Sequence, residues 1–370
     1  MTERIGKIQT IKGLIEKDEL GITHMHEHIF INYLDYFEKP NEQELKMCCL
    51  GGGSGSGNSN SNKTIEDLSN EKISLINNHW VQYNYNKNLH NLQLNEMEIA
   101  IRELEMFKRN GGSTIVEVTT KGIGRDPLQC LKVSQELNIN IVMGAGYYLD
   151  KSISQFVQSM TEKQMEDEIV KQCLIGIDDT SIKAGIIGEV GCSFPLTNNE
   201  KKSLIASAKA QQRTGLSISI HPGRSQTAPL EIIQILKDSG ADLSRVIIGH
   251  IDRTIHDINI LLETAKTGCI LEFDLFGMEI SHYPFGGEVG MPSDNQRIEW
   301  IYQLIKHGYG ENIVISHDIY TKHRLVSYGG HGYSHILFNI IPRMKKFGYS
   351  DTDINNILIN NPKRLLTIIK

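Results

Sequence analysis

Five segments of this 370-residue chain read as short apolar strands that end in a metal-binding side chain: GITHMHEH with His26 and His28, AGIIGEVG with Glu189, LSISIHPG with His221, RVIIGH with His250, and NIVISHD with Asp318. In parallel α/β folds the C-terminal ends of the strands open onto one face, so ligands far apart in sequence can meet there. The placement predicts a (β/α)8 barrel of the TIM type with a binuclear metal site at that face. A doubly wound open sheet is the alternative, and it lacks a reason for ligands on the earliest and latest strands to meet. Taken singly, a strand-end histidine is more often a hydrogen-bonded structural residue. Recurrence at strands one, four, five, six and eight of one repeat is what singles these residues out.

Neutral imidazoles and carboxylates suit borderline divalent ions such as zinc and manganese. His26, His28, Glu189, His221, His250 and Asp318 exceed one tetrahedral shell. They fit two metals that share a bridging carboxylate and a bridging hydroxide, an arrangement that makes a nucleophile near neutral pH and polarises the bond under attack. His26 and His28 lie two residues apart on a strand, so they share a face with Cβ atoms roughly 6.5 Å apart. Glu27 then points away.

The rhythm of strands and helices supports a barrel. STIVEVTT from Ser113 precedes the helical DPLQCLKVSQEL, NINIVMGAGYY from Asn138 precedes TEKQMEDEIVKQCLIGI, and AGIIGEV precedes TNNEKKSLIASAKAQQRTG. Thr197 and Glu200 form a capping box for that last helix, which stops at Gly215. GCILEFDLF from Gly268 supplies a further strand, so eight are counted when the His26 segment is the first. One domain over 1–370 is expected. The connection from the first strand to a helix beginning near Leu94 is long, and its Gly/Ser/Asn tract at 51–63 reads as a disordered insertion with too little apolar surface to pack. His79, Trp80, Tyr83 and Tyr85 flank the tract and are candidates either to cover the site or to lie on the surface.

A formal charge of −6 and the lack of a basic cluster argue against a nucleic-acid partner. No apolar run reaches the length of a membrane span, and the opening MTERIGKIQT lacks a signal-peptide core, so a cytoplasmic protein with no membrane partner is expected. The six cysteines form no CxxC pair and are expected to be reduced. Cys192, just past Glu189, either lines the pocket or packs.

GITHMHEHI resembles the HxH signature of the amidohydrolase, or metallo-dependent hydrolase, superfamily in its phosphotriesterase form. GIIGEVGCSFPLT, SISIHPGR, IIGHID and ISHDIYTKHRLVSYGGHGYSHI are similar to the phosphotriesterase-related proteins, and the match runs from about Gly13 to Leu365. The resemblance implies that His26, His28 and Asp318 serve one metal and His221 and His250 the other, with Glu189 across both and Asp318 taking the proton of the bridging water. The name-giving phosphotriesterases bridge their metals with a carbamylated lysine. Lys183 is six residues before Glu189, roughly 20 Å along an extended strand, and so at the wrong end of the barrel. Glu189 is the expected bridge, as in glutamate-bridged members of the family.

The expected cofactors are two divalent ions per chain, zinc first, with manganese or another transition metal as the alternative. The substrate is expected to be a small molecule, and a homodimer is one assembly open to the chain. Arg224, Lys322 and Arg324 surround the mouth of the expected site, where a carboxylate or sulfonate tail would suit them; the other reading pairs Arg224 and Arg324 with loop carboxylates such as Asp252 or Asp274. The resemblance implies hydrolysis of N-acetyltaurine or a related N-acyl amino acid. Esterase, lactonase or phosphotriesterase activity at the same centre is the alternative, and a non-catalytic barrel that binds a ligand is the third.

Overall fold

The computed structural model describes residues 2–41, 65–280 and 290–370. The tract at 51–63, together with Cys48 and Cys49, lies outside the described residues. Eight strands form one parallel sheet in sequential order: β1 (Ile22–Glu27), β2 (Gly112–Glu117), β3 (Asn140–Ala145), β4 (Ile186–Gly191), β5 (Ile218–His221), β6 (Val246–Ile248), β7 (Ile270–Phe273) and β8 (Ile313–Ile315). Each is one of the segments read as a strand from sequence. Helices α1 (Met97–Arg109), α2 (Pro127–Leu137), α3 (Glu162–Leu174), α4 (Asn198–Thr214), α5 (Ala228–Asp238), α6 (Ile258–Lys266) and α7 (Asp294–Lys306) occupy the successive connections. The chain is a TIM-type barrel.

Alternation along the strands divides the apolar core in two. Met25, Val116, Val142, Ile186, Ile247, Ile270 and Val314 gather inside the barrel with Ile8, Leu365 and Leu366, which close its N-terminal end. Ile115, Ile141, Ile187, Ile218, Ile248, Leu271 and Ile313 pack outward in the same cluster as Leu104, Val133, Ile169, Leu204, Ile232 and Leu261 of the helices. Ile8 belongs to an antiparallel hairpin, Lys7–Thr10 with Gly13–Glu16, that was not read from sequence. Lys183 lines a cavity with Glu3, Arg4 and Gln9 at this end, away from Glu189.

Thr197 caps α4 as expected. The Glu200 amide donates to its hydroxyl at 3.2 Å, the Thr197 amide donates to the Glu200 carboxylate at 3.1 Å, and Gly215 ends the helix at φ +68°. The long connection after β1 differs from expectation in detail. Leu94 belongs to a two-residue strand paired with Ile31–Asn32, and α1 starts only at Met97. Two short helices, Ile65–Asn70 and Asn78–Tyr83, precede it. Cys130, Cys173, Cys192 and Cys269 are buried free thiols. Among the described residues no helix is long and apolar enough to cross a membrane.

The barrel closes where β8 meets β1, and there the described residues show no strand ladder. Side chains, with one main-chain hydrogen bond, make the join. Ser316 Oγ donates to the His26 carbonyl at 2.6 Å and accepts from the His26 amide at 3.1 Å, while the Asp318 amide donates to the same carbonyl at 3.2 Å. The fully buried Glu27 carboxylate is the centre of this seam. Its Oε1 accepts from the His317 amide at 2.9 Å and His317 Nδ1 at 2.8 Å and shares with the His26 carbonyl the single proton of the Ser316 hydroxyl, 2.9 Å away, and its Oε2 accepts from the Ile319 amide at 3.1 Å.

Burial alone would raise the Glu27 carboxyl, but the interactions with His317 and the Ile319 amide bring it down to about 2. A depressed carboxyl stabilises the fold fully above its unfolded value, 4.5, and that contribution is lost as pH falls through 4.5 toward 2. Glu27→Gln is expected to lower stability by roughly 3 kcal/mol or more, because its amide group turns donors toward donors. Chemical denaturation from pH 7 to pH 3 checks this: the gap between wild type and variant should narrow in acid, and a gap independent of pH would contradict it.

Candidate metal centre

His26 and His28 project from the end of β1, Glu189 from β4 and His221 from β5, while His250 comes two residues after β6 and Asp318 three residues after β8. The structure brings all six together. One group is His26, His28 and Asp318; the other is Glu189, His221 and His250, and within each group the ligand atoms lie within 4.8 Å of one another. Glu189 also faces both groups: Oε1 is 3.3 Å from Nε2 of His28, and Oε2 is 3.1 Å from Nδ1 of His221 and 3.5 Å from Nε2 of both His250 and His26. Asp318 Oδ1 lies 3.2 Å from Nε2 of His28.

Two of these residues hold a backbone conformation that side chains rarely adopt. His250 has φ +50° and Asp318 φ +51°, which costs of order 1–3 kcal/mol each and persists only when the surroundings enforce it. Carboxylates on a neighbouring strand supply the enforcement. The His250 amide donates to both oxygens of Asp274, at 3.0 and 2.9 Å. Asp318 lies between the two amides, of His317 and Ile319, that Glu27 accepts from.

The outward nitrogens of the rings are held as well. His28 Nδ1 lies 2.7 Å from the Thr119 hydroxyl, His250 Nδ1 is 2.9 Å from Asp274, and His26 Nδ1 is 3.4 Å from both Glu272 and Asp274. Partners on the far nitrogen orient a ring and leave its other nitrogen as a lone pair for a metal. His26 Nε2, aimed at the centre, is buried and makes no hydrogen bond.

The charges ask for cations too. Burial works against Glu189 ionising, yet the charge of His26 and the contacts with His221 and His250 hold its carboxyl well below the usual range. Burial likewise opposes protonation of His28 and His250, and the carboxylates carry both up to about 9, Asp318 and Glu189 acting on His28 and Asp274 chiefly on His250. Imidazoles in such a site act as substitutes for positive charge. Divalent ions would displace those protons. The donor set therefore fits two metal ions.

A further cluster, His24, Glu27 and His317, has ligand-like spacing. His317 has nothing left to offer there, because Nδ1 is engaged by Glu27 and Nε2 accepts from the Ile336 amide at 3.1 Å.

A pocket beside the two groups is lined by His28, Ile31, Tyr33, Tyr148, Glu189, His221, Arg224, Arg253, Asp318 and Tyr320. Of the basic residues expected at the mouth, Arg224 is present. Lys322 and Arg324 are elsewhere. Lys322 is 3 % exposed and paired with Glu96, and Arg324 donates to the carbonyls of His317 and Asp318 and to His331. Neither Asp252 nor Asp274 pairs with Arg224 or Arg324: Asp252 holds Arg297 at 2.7 Å, and Asp274 holds His250.

Of the residues flanking the 51–63 tract, His79 and Tyr83 are exposed, and Trp80 packs with Leu68, Ile73 and Val81. Tyr85 is buried, stacked on His323 at 5.6 Å. Cys192 is buried and does not line the pocket. Tyr33, Tyr148, Arg253, Glu272 and Asp274 were not read as site residues. The acids at the end of ILEFD, a strand terminus like the other five, were the available signal for the last two.

The family model for the phosphotriesterase family matches residues 6–366. N-acetyltaurine hydrolase of Homo sapiens is 43% identical over 368 residues, covering 99% of both chains, and that of Xenopus tropicalis is 45% identical over 369 residues at the same coverage. Among solved structures, a resiniferatoxin-binding protein from Rhodobacter sphaeroides superposes with a TM-score of 0.89 at 32% identity, covering 98% of this chain and 95% of that one.

Proposed function

The chain belongs to the phosphotriesterase family, and from that premise we propose that it is a metal-dependent amidohydrolase that cleaves N-acetyltaurine or a closely similar N-acyl amino acid. One observation carries the reading: six buried side chains from five strand ends form two groups that both face Glu189, in a chain 43% identical over its length to the human N-acetyltaurine hydrolase.

In this reading His26, His28 and Asp318 hold one ion, His221 and His250 the other, and Glu189 serves both. Zinc suits this set of imidazoles and carboxylates best. Bound there, two such ions supply a Lewis acid for the amide carbonyl and bring a water to ionise near neutral pH.

The protein's own groups do the rest. Asp318 and His221, each 5 % exposed, are the most open of the six, and both border the pocket. Asp318 takes the proton of the attacking water and delivers it to the departing nitrogen, so that an amine leaves rather than its anion. Ile31, Tyr33, Tyr148 and Tyr320 wall off a space suited to a small acyl group. Arg224 supplies a forked donor for an oxyanion at the far end of the substrate.

Two outcomes test this. Purified protein is expected to release taurine from N-acetyltaurine, to lose that activity to a chelator, and to regain it with zinc whether or not bicarbonate is present, since a glutamate needs no carbon dioxide to become a carboxylate. Recovery only with bicarbonate would point to a modified lysine in place of Glu189. Asp318→Asn keeps one ligand oxygen but removes the proton acceptor, so its turnover is expected to fall by roughly 10²–10⁴-fold with metal content retained. Near-normal turnover in that variant would remove Asp318 from the proton path.

A further inference from the structure

Arg253 lies in the single turn Ile251–Thr254 that follows His250, and its side chain borders the pocket. It is 6 % exposed. Two other buried arginines hold carboxylates, Arg297 with Asp252 at 2.7 Å and Asp294 at 2.8 Å and Arg125 with Asp178 at 3.0 Å, whereas Arg245 and Arg324 spend their donors on backbone carbonyls away from the pocket. Among the described residues Arg253 has no carboxylate partner. Its guanidinium donates to the Pro222 carbonyl at 3.1 Å and the Thr254 hydroxyl at 3.3 Å, and it lies 3.2 Å from Nε2 of His221. A buried cation is costly unless paired, and this one opens on the space where a substrate would sit.

The contact with His221 adds a second argument. The nitrogen of that ring that faces the centre is Nδ1, 3.1 Å from Glu189 and 2.8 Å from His250 Nε2. Nε2 on the other side of the ring lies 3.2 Å from the guanidinium, which places Arg253 beside a candidate metal ligand and at the edge of the pocket. An oxyanion in that pocket can accept from the guanidinium.

We propose that Arg253 determines substrate specificity by anchoring the anionic tail, a sulfonate or carboxylate, of the N-acyl substrate. The inference rests on the hydrolase reading above. It adds a recognition residue absent from the TKHR run that sequence had suggested, and its position three residues after His250 ties recognition of the tail to the metal centre.

The test compares Arg253→Met and Arg253→Lys with wild type on N-acetyltaurine and on the neutral N-butylacetamide, with metal content measured throughout and taurine binding measured by calorimetry. Loss of one charge-assisted contact is expected to lower kcat/KM for N-acetyltaurine about 10- to 150-fold in Arg253→Met. The same variant should change the neutral amide by less than about 3-fold, keep its metal, and bind taurine correspondingly more weakly, while Arg253→Lys recovers part of the loss. An equal loss on both substrates, or loss of metal, would mean that Arg253 only supports His221 and would overturn the proposal. Wild-type protein that cleaves no N-acyl amide sinks the hydrolase reading instead. The calorimetric arm still decides the arginine in that case, because unchanged taurine affinity in Arg253→Met overturns it.

Discussion

The Glu27 carboxylate is the interaction on which the rest of this architecture depends. It sits between two candidate ligands at the end of β1, points away from both, and accepts from the amides of His317 and Ile319 and the His317 ring, with the Ser316 hydroxyl 2.9 Å away, all in the stretch that follows β8. The seam it closes has no ladder among the described residues, and that seam is where His26, His28 and Asp318 must meet. Two of those three come from the first strand and one from beyond the last. Their spacing is therefore set by this buried side chain and a single main-chain bond rather than by a strand ladder, and small errors there would displace a candidate ligand. Arg324 reinforces the same stretch from the other side by donating to the carbonyls of His317 and Asp318.

The same device recurs at β6. Asp274 binds the amide and the ring of His250, as Glu27 binds the amides beside Asp318. In both places a carboxylate one strand away holds a candidate ligand in the left-handed region that it would otherwise leave. Glu272 adds to this acidic layer, and burial raises its carboxyl to about 7 despite the lowering influence of His26. Carboxylates thus surround the imidazoles on two levels, which gives the centre both its rigidity and its demand for positive charge.

Much of this was legible in the sequence, for a physical reason. A parallel barrel reports its active site as a recurring position, the strand terminus, and six residues of metal-binding type stood there. The structure brings them together as that pattern implied. What escaped was whatever depends on how a loop folds back. Nothing in TKHR distinguishes a basic rim from a buried clamp, and Lys322 and Arg324 are buried with partners on other elements. Arg253 was invisible because a single arginine after a strand has no pattern. Period-two reasoning correctly turned Glu27 away from His26 and His28, but strict alternation fails at His24. Its ring packs 4.8 Å from Phe107 of α1 while His26 faces the centre, and the pairing of β1 with β2 shifts register between His24 and Glu27. The hairpin at Lys7–Glu16 is too short and too mixed in composition to announce itself.

The proposed chemistry turns on Glu189 joining two metal ions held by side chains from five strand ends. Diffraction from zinc-loaded crystals, with data collected on either side of the zinc absorption edge, measures this directly. Two anomalous peaks per chain are expected, one beside His26, His28 and Asp318 and one beside His221 and His250, with the Glu189 carboxylate between them and Lys183 unmodified at the far end of the barrel. A single peak, or two peaks with Glu189 turned away from either, would contradict it.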